Sequence, residues 1–105
     1  MVKAHINSGV CGFQTEVTAT ADDSYEVTLV ITSECKRVQR FATELSSVAM
    51  LEEISKPINE TQTYLAAGHC RLHSSCAVPC GVLKVAEVAS GLALSANVQV
   101  TLLSE

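Results

Sequence analysis

The sequence predicts an α+β fold, in which a sheet of about four strands, antiparallel or mixed, carries helices on one face as a two-layer sandwich. Apolar and polar residues alternate through most of residues 2–32 and again at 97–102, which is the period of strands. Between these stretches, apolar residues recur at helical spacing. The expected element order is therefore β-β-β-α-α-α-β. A chain of 105 residues has room for one core, so we expect a single domain over 1–105.

Three strands are expected near the start of the chain. Val2, Ala4 and Ile6 alternate with polar residues, which indicates a half-buried strand. A second alternating run covers residues 13–20, and a run rich in β-branched residues covers 25–32. The short connection between these two runs predicts a hairpin. Residues 97–102 predict the last strand, because Val98, Val100 and Leu102 again alternate with polar residues.

The middle of the chain predicts helices. A long helix is expected from about Glu34 to Ala49, with Thr32 or Ser33 as its cap, followed by a continuation or a short second helix that stops before Pro57. Another short helix is expected from Asn59 until Gly68. The last helix has Pro79 in its first turn and closes near Gly91.

Composition narrows the partners and the compartment. The net charge is −4 and only seven Lys and Arg are present, which argues against binding to nucleic acid. No run approaches the roughly 18–20 apolar residues that a membrane span needs. The first residues do not resemble a secretory signal, so a cytoplasmic protein is expected. Five cysteines cannot all pair within one chain, and in a reducing compartment such richness favours metal or redox chemistry.

The predicted positions of the cysteines point to a shared site. Cys11 lies in a glycine-flanked turn after the first strand, and Cys35 lies at the start of the long helix. Cys76 and Cys80 flank the start of the last helix. Turns and helix starts offer free backbone N–H groups, which stabilise the thiolate that binds metal. We therefore expect these four sulfurs to lie near a common point and to hold an iron–sulfur cluster of the 4Fe-4S type or a zinc ion.

Other residues are weaker candidates for the same site. Cys70 or His73 could replace one of the four ligands, and His73 with Cys76 could supply a mixed zinc site. His5 is expected to face solvent from its strand. Positive charge at the start of the long helix opposes the helix dipole but would complement a negatively charged thiolate centre. That charge comes from Lys36, Arg37 and Arg40.

Several segments resemble a family of short uncharacterised proteins, a cysteine-containing domain of unknown function from anaerobic microbes. The segments are Cys11-Gly12-Phe13, Ser33-Glu34-Cys35, Ser75-Cys76-Ala77-Val78-Pro79 and 83–94. The resemblance spans nearly the whole chain and implies no known activity. It implies that Cys11, Cys35 and Cys76 belong to the shared pattern, which would allow a three-cysteine site with an open or non-cysteine fourth position. An anaerobic setting would favour an iron–sulfur cluster over zinc.

Three functions remain open from the sequence. The first is a metal or iron–sulfur protein that serves as an electron-transfer, carrier or sensor module. The second is a thiol-based redox or sulfur-transfer enzyme in which Cys35 reacts. The third is a structural or interaction module, such as a homodimer, with unliganded cysteines. No phosphate loop, nucleophile elbow or other catalytic motif decides whether the protein is an enzyme.

Overall fold

The fold is a four-stranded antiparallel sheet with helices packed on one face, which confirms the predicted α+β class. A computed structural model describes residues 1–104 of the chain. The strands are β1 (Val2–Asn7), β2 (Gln14–Ala21), β3 (Glu26–Ser33) and β4 (Ser47–Ala49), paired in the order β1-β2-β3-β4. The helices are α1 (Lys36–Glu44), α2 (Met50–Glu53), α3 (Gln62–His69) and α4 (Val78–Ala89). Short 3₁₀ turns occupy Gly9–Cys11 and Ile58–Glu60.

The core lies between the sheet and the helices. In β2 and β3 the alternate residues Val17, Ala19, Val27 and Leu29 are buried, as the period of two in the sequence predicts. Helix α4 crosses β1 and β2, and α1 packs against β3. On the opposite face, side chains such as Lys3 are exposed to solvent. The two-layer arrangement therefore follows from one apolar and one polar face of the sheet.

The predicted helix from Glu34 to Ala49 is wrong in its last part, because α1 ends at Glu44 and residues 47–49 form β4. Serine in this segment competes poorly as a helix former. The Ser46 carbonyl accepts a hydrogen bond of 2.8 Å from the Leu29 N–H, and Val48 is buried beside β3. Pairing with the sheet thus outweighs the helical spacing. Residue Cys35, not Thr32 or Ser33, is the N-cap.

The predicted final strand at 97–102 is also wrong. Within residues 1–104 the segment forms no strand, and Val98, Val100 and Leu102 are exposed. An alternating pattern favours a strand only where a neighbouring strand supplies hydrogen bonds, and in the described part of the chain the fourth strand is β4 while residues 97–102 pair with no strand. The helix before it does end where expected, since α4 closes at Ala89 and Gly91 follows with a φ of 78°.

Helix α3 starts later than predicted, and its N-terminus is capped both by Thr61 and by a carboxylate from α2. Thr61 is its N-cap and accepts a hydrogen bond from the Tyr64 N–H, in place of Asn59. The buried Glu53 carboxylate, at the end of α2, accepts from the N–H groups of Gln62 and Thr63 and from the Thr63 hydroxyl, at 2.7–3.1 Å. A buried carboxylate at a helix N-terminus satisfies free N–H groups and the helix dipole together. This contact holds α3 in place.

Candidate metal centre

The register of the sheet brings two cysteines to the same end of the molecule. Asn7 pairs with Gln14 and Thr15 pairs with Ser33, so β1 ends, β2 begins and β3 ends at one edge. Cys11 lies in the connection between β1 and β2, at the end of a 3₁₀ turn. Cys35 lies two residues after β3, as the N-cap of α1. Both therefore lie where the sequence predicts, and at the same edge.

The start of α4 reaches this edge as well. Ala77 is the N-cap of α4, with Cys76 just before it and Cys80 in the first turn. Gly81 packs so closely on Ile6, in the last part of β1, that an added Cβ would lie 2.8 Å from Cγ1 of Ile6 and closer still to Cδ1. Only a residue without a side chain allows this approach. The first turn of α4 is thereby held against the end of β1 that leads to Cys11.

The pKa of Cys76 reports on its neighbours. Burial raises the pKa of the Cys76 thiol above its ordinary value, and negative charge on Cys35 and on Cys11 raises it further. The backbone N–H of Val78 has the opposite effect and lowers the pKa of this thiol. Cys76 is therefore within electrostatic reach of two thiols from other elements, Cys11 and Cys35.

Tyr64, from α3, completes the group of side chains at this edge. Burial raises the pKa of the Tyr64 phenol, and negative charge on Cys80 and Cys76 raises it further. The phenol is therefore within electrostatic reach of both cysteines at the start of α4. The sequence did not indicate Tyr64, because neither its spacing nor its neighbours in the chain suggest contact with a cysteine.

The thiols form a loose group that is partly open to solvent. Cys35 and Cys76 are half-buried against the core, whereas Cys11 and Cys80 are exposed, and all are free. As the side chains stand in residues 1–104, no three His, Cys, Asp or Glu groups are close enough to hold a metal ion. Cys11 and Cys35 thus lie at the same edge of the sheet as the start of α4, which carries Cys76 and Cys80.

Cys70 and the histidines lie in other environments. Cys70 is buried in the core, and burial raises the pKa of its thiol, with the nearby Glu44 carboxylate adding to the effect. His69 contacts the same carboxylate, with its Nδ1 2.9 Å from Glu44 Oε2. The exposed His5 faces solvent as predicted and lies 3.7 Å from Glu16. The His73 carbonyl accepts a hydrogen bond of 2.9 Å from the Cys76 N–H.

Of the predicted cations, Arg37 has a structural contact near the site. Its guanidinium donates a hydrogen bond of 3.2 Å to the carbonyl of Arg71. Arg71 has a φ of 58°, in the left-handed region that is uncommon for residues other than glycine. The contact joins α1, which carries Cys35 at its N-cap, to the loop that leads to Cys76.

Two shallow depressions on the surface are lined by residues other than cysteine. One of about 230 Å³ lies between α2 and α4 and includes Met50 and Leu83. The other, of about 320 Å³, lies on the open face of the sheet beside His5 and Ser33. The group of thiols therefore belongs to neither depression.

These features define a small α+β protein with a group of cysteines at one edge of its sheet. The chain belongs to the family of unknown function DUF6951, whose model matches residues 2–102. This confirms the resemblance to an uncharacterised family over nearly the whole chain. Comparison with curated proteins and with solved structures found no match. Within residues 1–104, no helix combines the length and the apolar character needed to cross a membrane.

Proposed function

We propose that the protein binds an iron–sulfur cluster of the 4Fe-4S type through Cys11, Cys35, Cys76 and Cys80. The observation that carries the proposal is geometric: the strand register places Cys11 and Cys35 at one edge of the sheet, and the close contact of Gly81 with Ile6 holds the start of α4 against that edge. Cys80 joins them because it lies in the first turn of α4, four residues after Cys76. Four thiolates are the usual ligand set of a cubane cluster.

The distribution of the four cysteines over three segments of the chain favours a cluster over a zinc ion. Zinc holds each sulfur at about 2.3 Å, so four thiolates on zinc almost touch one another. A cubane separates its cysteine sulfurs further, because iron and sulfide atoms lie between them. The four cysteines come from the β1–β2 turn, the N-cap of α1 and the start of α4, and a larger centre bridges such separate segments more readily. Zinc in the same four thiols is the competing outcome of the test.

The surroundings of Cys76 suit a bound thiolate. The backbone N–H of Val78 favours the thiolate of Cys76, and the start of α4 has further free N–H groups. Hydrogen bonds to sulfur and solvent exposure both tune the potential of a cluster. The Tyr64 phenol near Cys76 and Cys80 is a second potential donor to sulfur. These groups would balance the negative charge that a four-thiolate centre carries.

The exposure of two ligands favours exchange with a partner. Cys11 and Cys80 are exposed, and Val10 beside Cys11 is a fully exposed apolar side chain. A centre at this edge would lie close to the surface, which suits transfer of electrons or of the cluster to another protein, or sensing of oxidants. Free cysteines of this kind persist in a reducing compartment, so we propose a cytoplasmic location.

A set of single replacements tests the proposal. Cys11→Ser, Cys35→Ser, Cys76→Ser and Cys80→Ser should each reduce the visible absorption of anaerobically prepared protein. Cys70→Ser is the matched control, because Cys70 is buried in the core and should not be a ligand. Equal absorption in the four variants and the unaltered protein would contradict the assignment. A colourless protein with one zinc per chain would assign the same thiols to zinc.

A further inference from the structure

The segment after α4 presents apolar side chains that its own chain does not cover. Val98 is 58% exposed, Val100 82% and Leu102 90%. They alternate with Asn97, Gln99 and Thr101, so in an extended conformation one side of the segment would be apolar and the other polar. A run of exposed apolar residues of this kind commonly marks an interaction site.

The sheet has a matching free edge. Within residues 1–104, β1 pairs with β2 alone, so its outer backbone groups face away from any strand. Such an edge is a template for another strand. Its inward side chains Val2 and Ala4 are only half-buried, which leaves apolar surface beside α4 uncovered. The opposite edge is β4, which has only three residues.

The free segment and the free edge agree in length and pattern. Residues 97–102 and Val2–Asn7 both cover six positions with apolar residues at every second position. When the two pair, Val98, Val100 and Leu102 lie on the helix-covered face of the sheet. Their polar neighbours then lie on the solvent face with Lys3 and His5. A shift of one residue would reverse this arrangement, so the pattern selects the register.

We propose that residues 97–102 of one copy add as a strand to the β1 edge of a second copy, and that the exchange is mutual. A second copy is the fitting partner because every copy supplies both halves of the contact, the strand and the free edge. A two-fold arrangement satisfies both at once. Residues 90–92 are held at the end of α4 by backbone hydrogen bonds, so the four residues 93–96 link the helix to the segment. When extended they span up to about 13–14 Å, enough to carry the segment away from the end of α4. The segment is therefore long enough to reach a neighbour.

The test is the mass of the protein in solution under reducing conditions, which prevent disulfide-linked dimers. Light scattering coupled to size exclusion should give twice the 11.1 kDa of one chain. Val100→Asp should weaken the dimer by about tenfold or more, because it buries a charge in an apolar contact. Gln99→Asp adds the same charge on the polar side and should leave the dimer intact. Both positions lie outside the folded core of one chain, so the helical circular dichroism signal of both variants should be retained.

Hydrogen exchange separates this contact from other dimers. In the dimer, amides at 98–102 and along the outer edge of β1 should be protected, and Val100→Asp should remove the protection. A monomeric unaltered protein would overturn the proposal, including one in which the segment is protected within its own chain. A dimer that Val100→Asp does not weaken would overturn it as well.

Discussion

Gly81 lies directly against Ile6, with no space for a side chain between α4 and β1. A Cβ at Gly81 would lie 2.8 Å from Cγ1 of Ile6, and the nearer Cδ1 would have to move. Ile6 is part of the core, so it has little freedom to turn aside. This contact sets the distance between the first turn of α4 and the end of β1. It is therefore the packing relationship that holds the first turn of α4 beside the end of β1.

Gly81→Ala should destabilise the protein by about 1–3 kcal/mol, because it overpacks a tight contact. Chemical denaturation measures the change. Ile6→Val removes the Cδ1 atom that the new methyl would meet first, so it should recover part of the loss in the double variant. Gly68→Ala is the control, since a Cβ there meets nothing within 4 Å. Equal stability of Gly81→Ala and the unaltered protein would contradict the close approach.

Glu53→Gln should lower the free energy of unfolding by about 1.5–3 kcal/mol, because the buried carboxylate accepts three hydrogen bonds at the start of α3. The Gln amide has a single acceptor oxygen, so it can accept only part of these hydrogen bonds. It also lacks the negative charge that stabilises the N-terminal end of the helix dipole. The exposed neighbour in the same helix, Glu52→Gln, should change stability little. The prediction fails if the two variants unfold at the same denaturant concentration.

The titration of Tyr64 should report on the nearby cysteines. In a Tyr25→Phe background only Tyr64 absorbs as phenolate, and in metal-free protein its pKa should lie above the ordinary value of 10.0. Burial is the main cause, and the thiolates of Cys80 and Cys76 add to it. Removing those negative charges favours the phenolate, so Cys76→Ser and Cys80→Ser should lower the pKa without restoring it fully. An unchanged pKa in both variants would show that the phenol lies away from these sulfurs.

Metal binding should become tighter as the pH rises. The pKa of Cys76 is raised by burial, so this thiol is protonated near neutral pH and must lose its proton to become a ligand. Loss of the Cys76 proton should therefore make metal binding tighter with rising pH until the pH exceeds the raised pKa of this thiol. Calorimetry with zinc as the probe, in buffers of different ionisation enthalpy, counts the protons released.

The proton count in Cys76→Ser should fall by about one. Cys70→Ser is the control and should keep the original count, because Cys70 lies in the core outside the proposed ligand set. A count in Cys76→Ser equal to that of the unaltered protein would exclude Cys76 as a ligand.

Alternation along the chain was sufficient to predict the three-stranded part of the sheet. In β1, β2 and β3 the apolar positions that recur every two residues face the helices. The fourth strand was predicted in the wrong place because β4 has only three residues, too few for a period to appear. Val48 fits a helical spacing and a strand equally well, and only the exposed edge of β3 decides between them.

The site was predictable where local structure determines it. Gly12 predicts a turn and Pro79 predicts a helix start. The sequence therefore placed Cys11 in a turn and Cys76 and Cys80 at the start of a helix. Tyr64 was not predictable, because its position depends on how α3 docks through Glu53. Contacts between elements far apart in the chain depend on packing, which no local pattern reveals.

The most direct test of the central proposal is iron, sulfide and zinc analysis, with a visible spectrum, of the unaltered protein purified without oxygen. The proposal predicts about four iron and four sulfide per chain and broad absorption that fades in air. One zinc without sulfide would retain the thiols as ligands but contradict the cluster. A colourless protein without iron, sulfide or zinc would contradict the metal centre altogether.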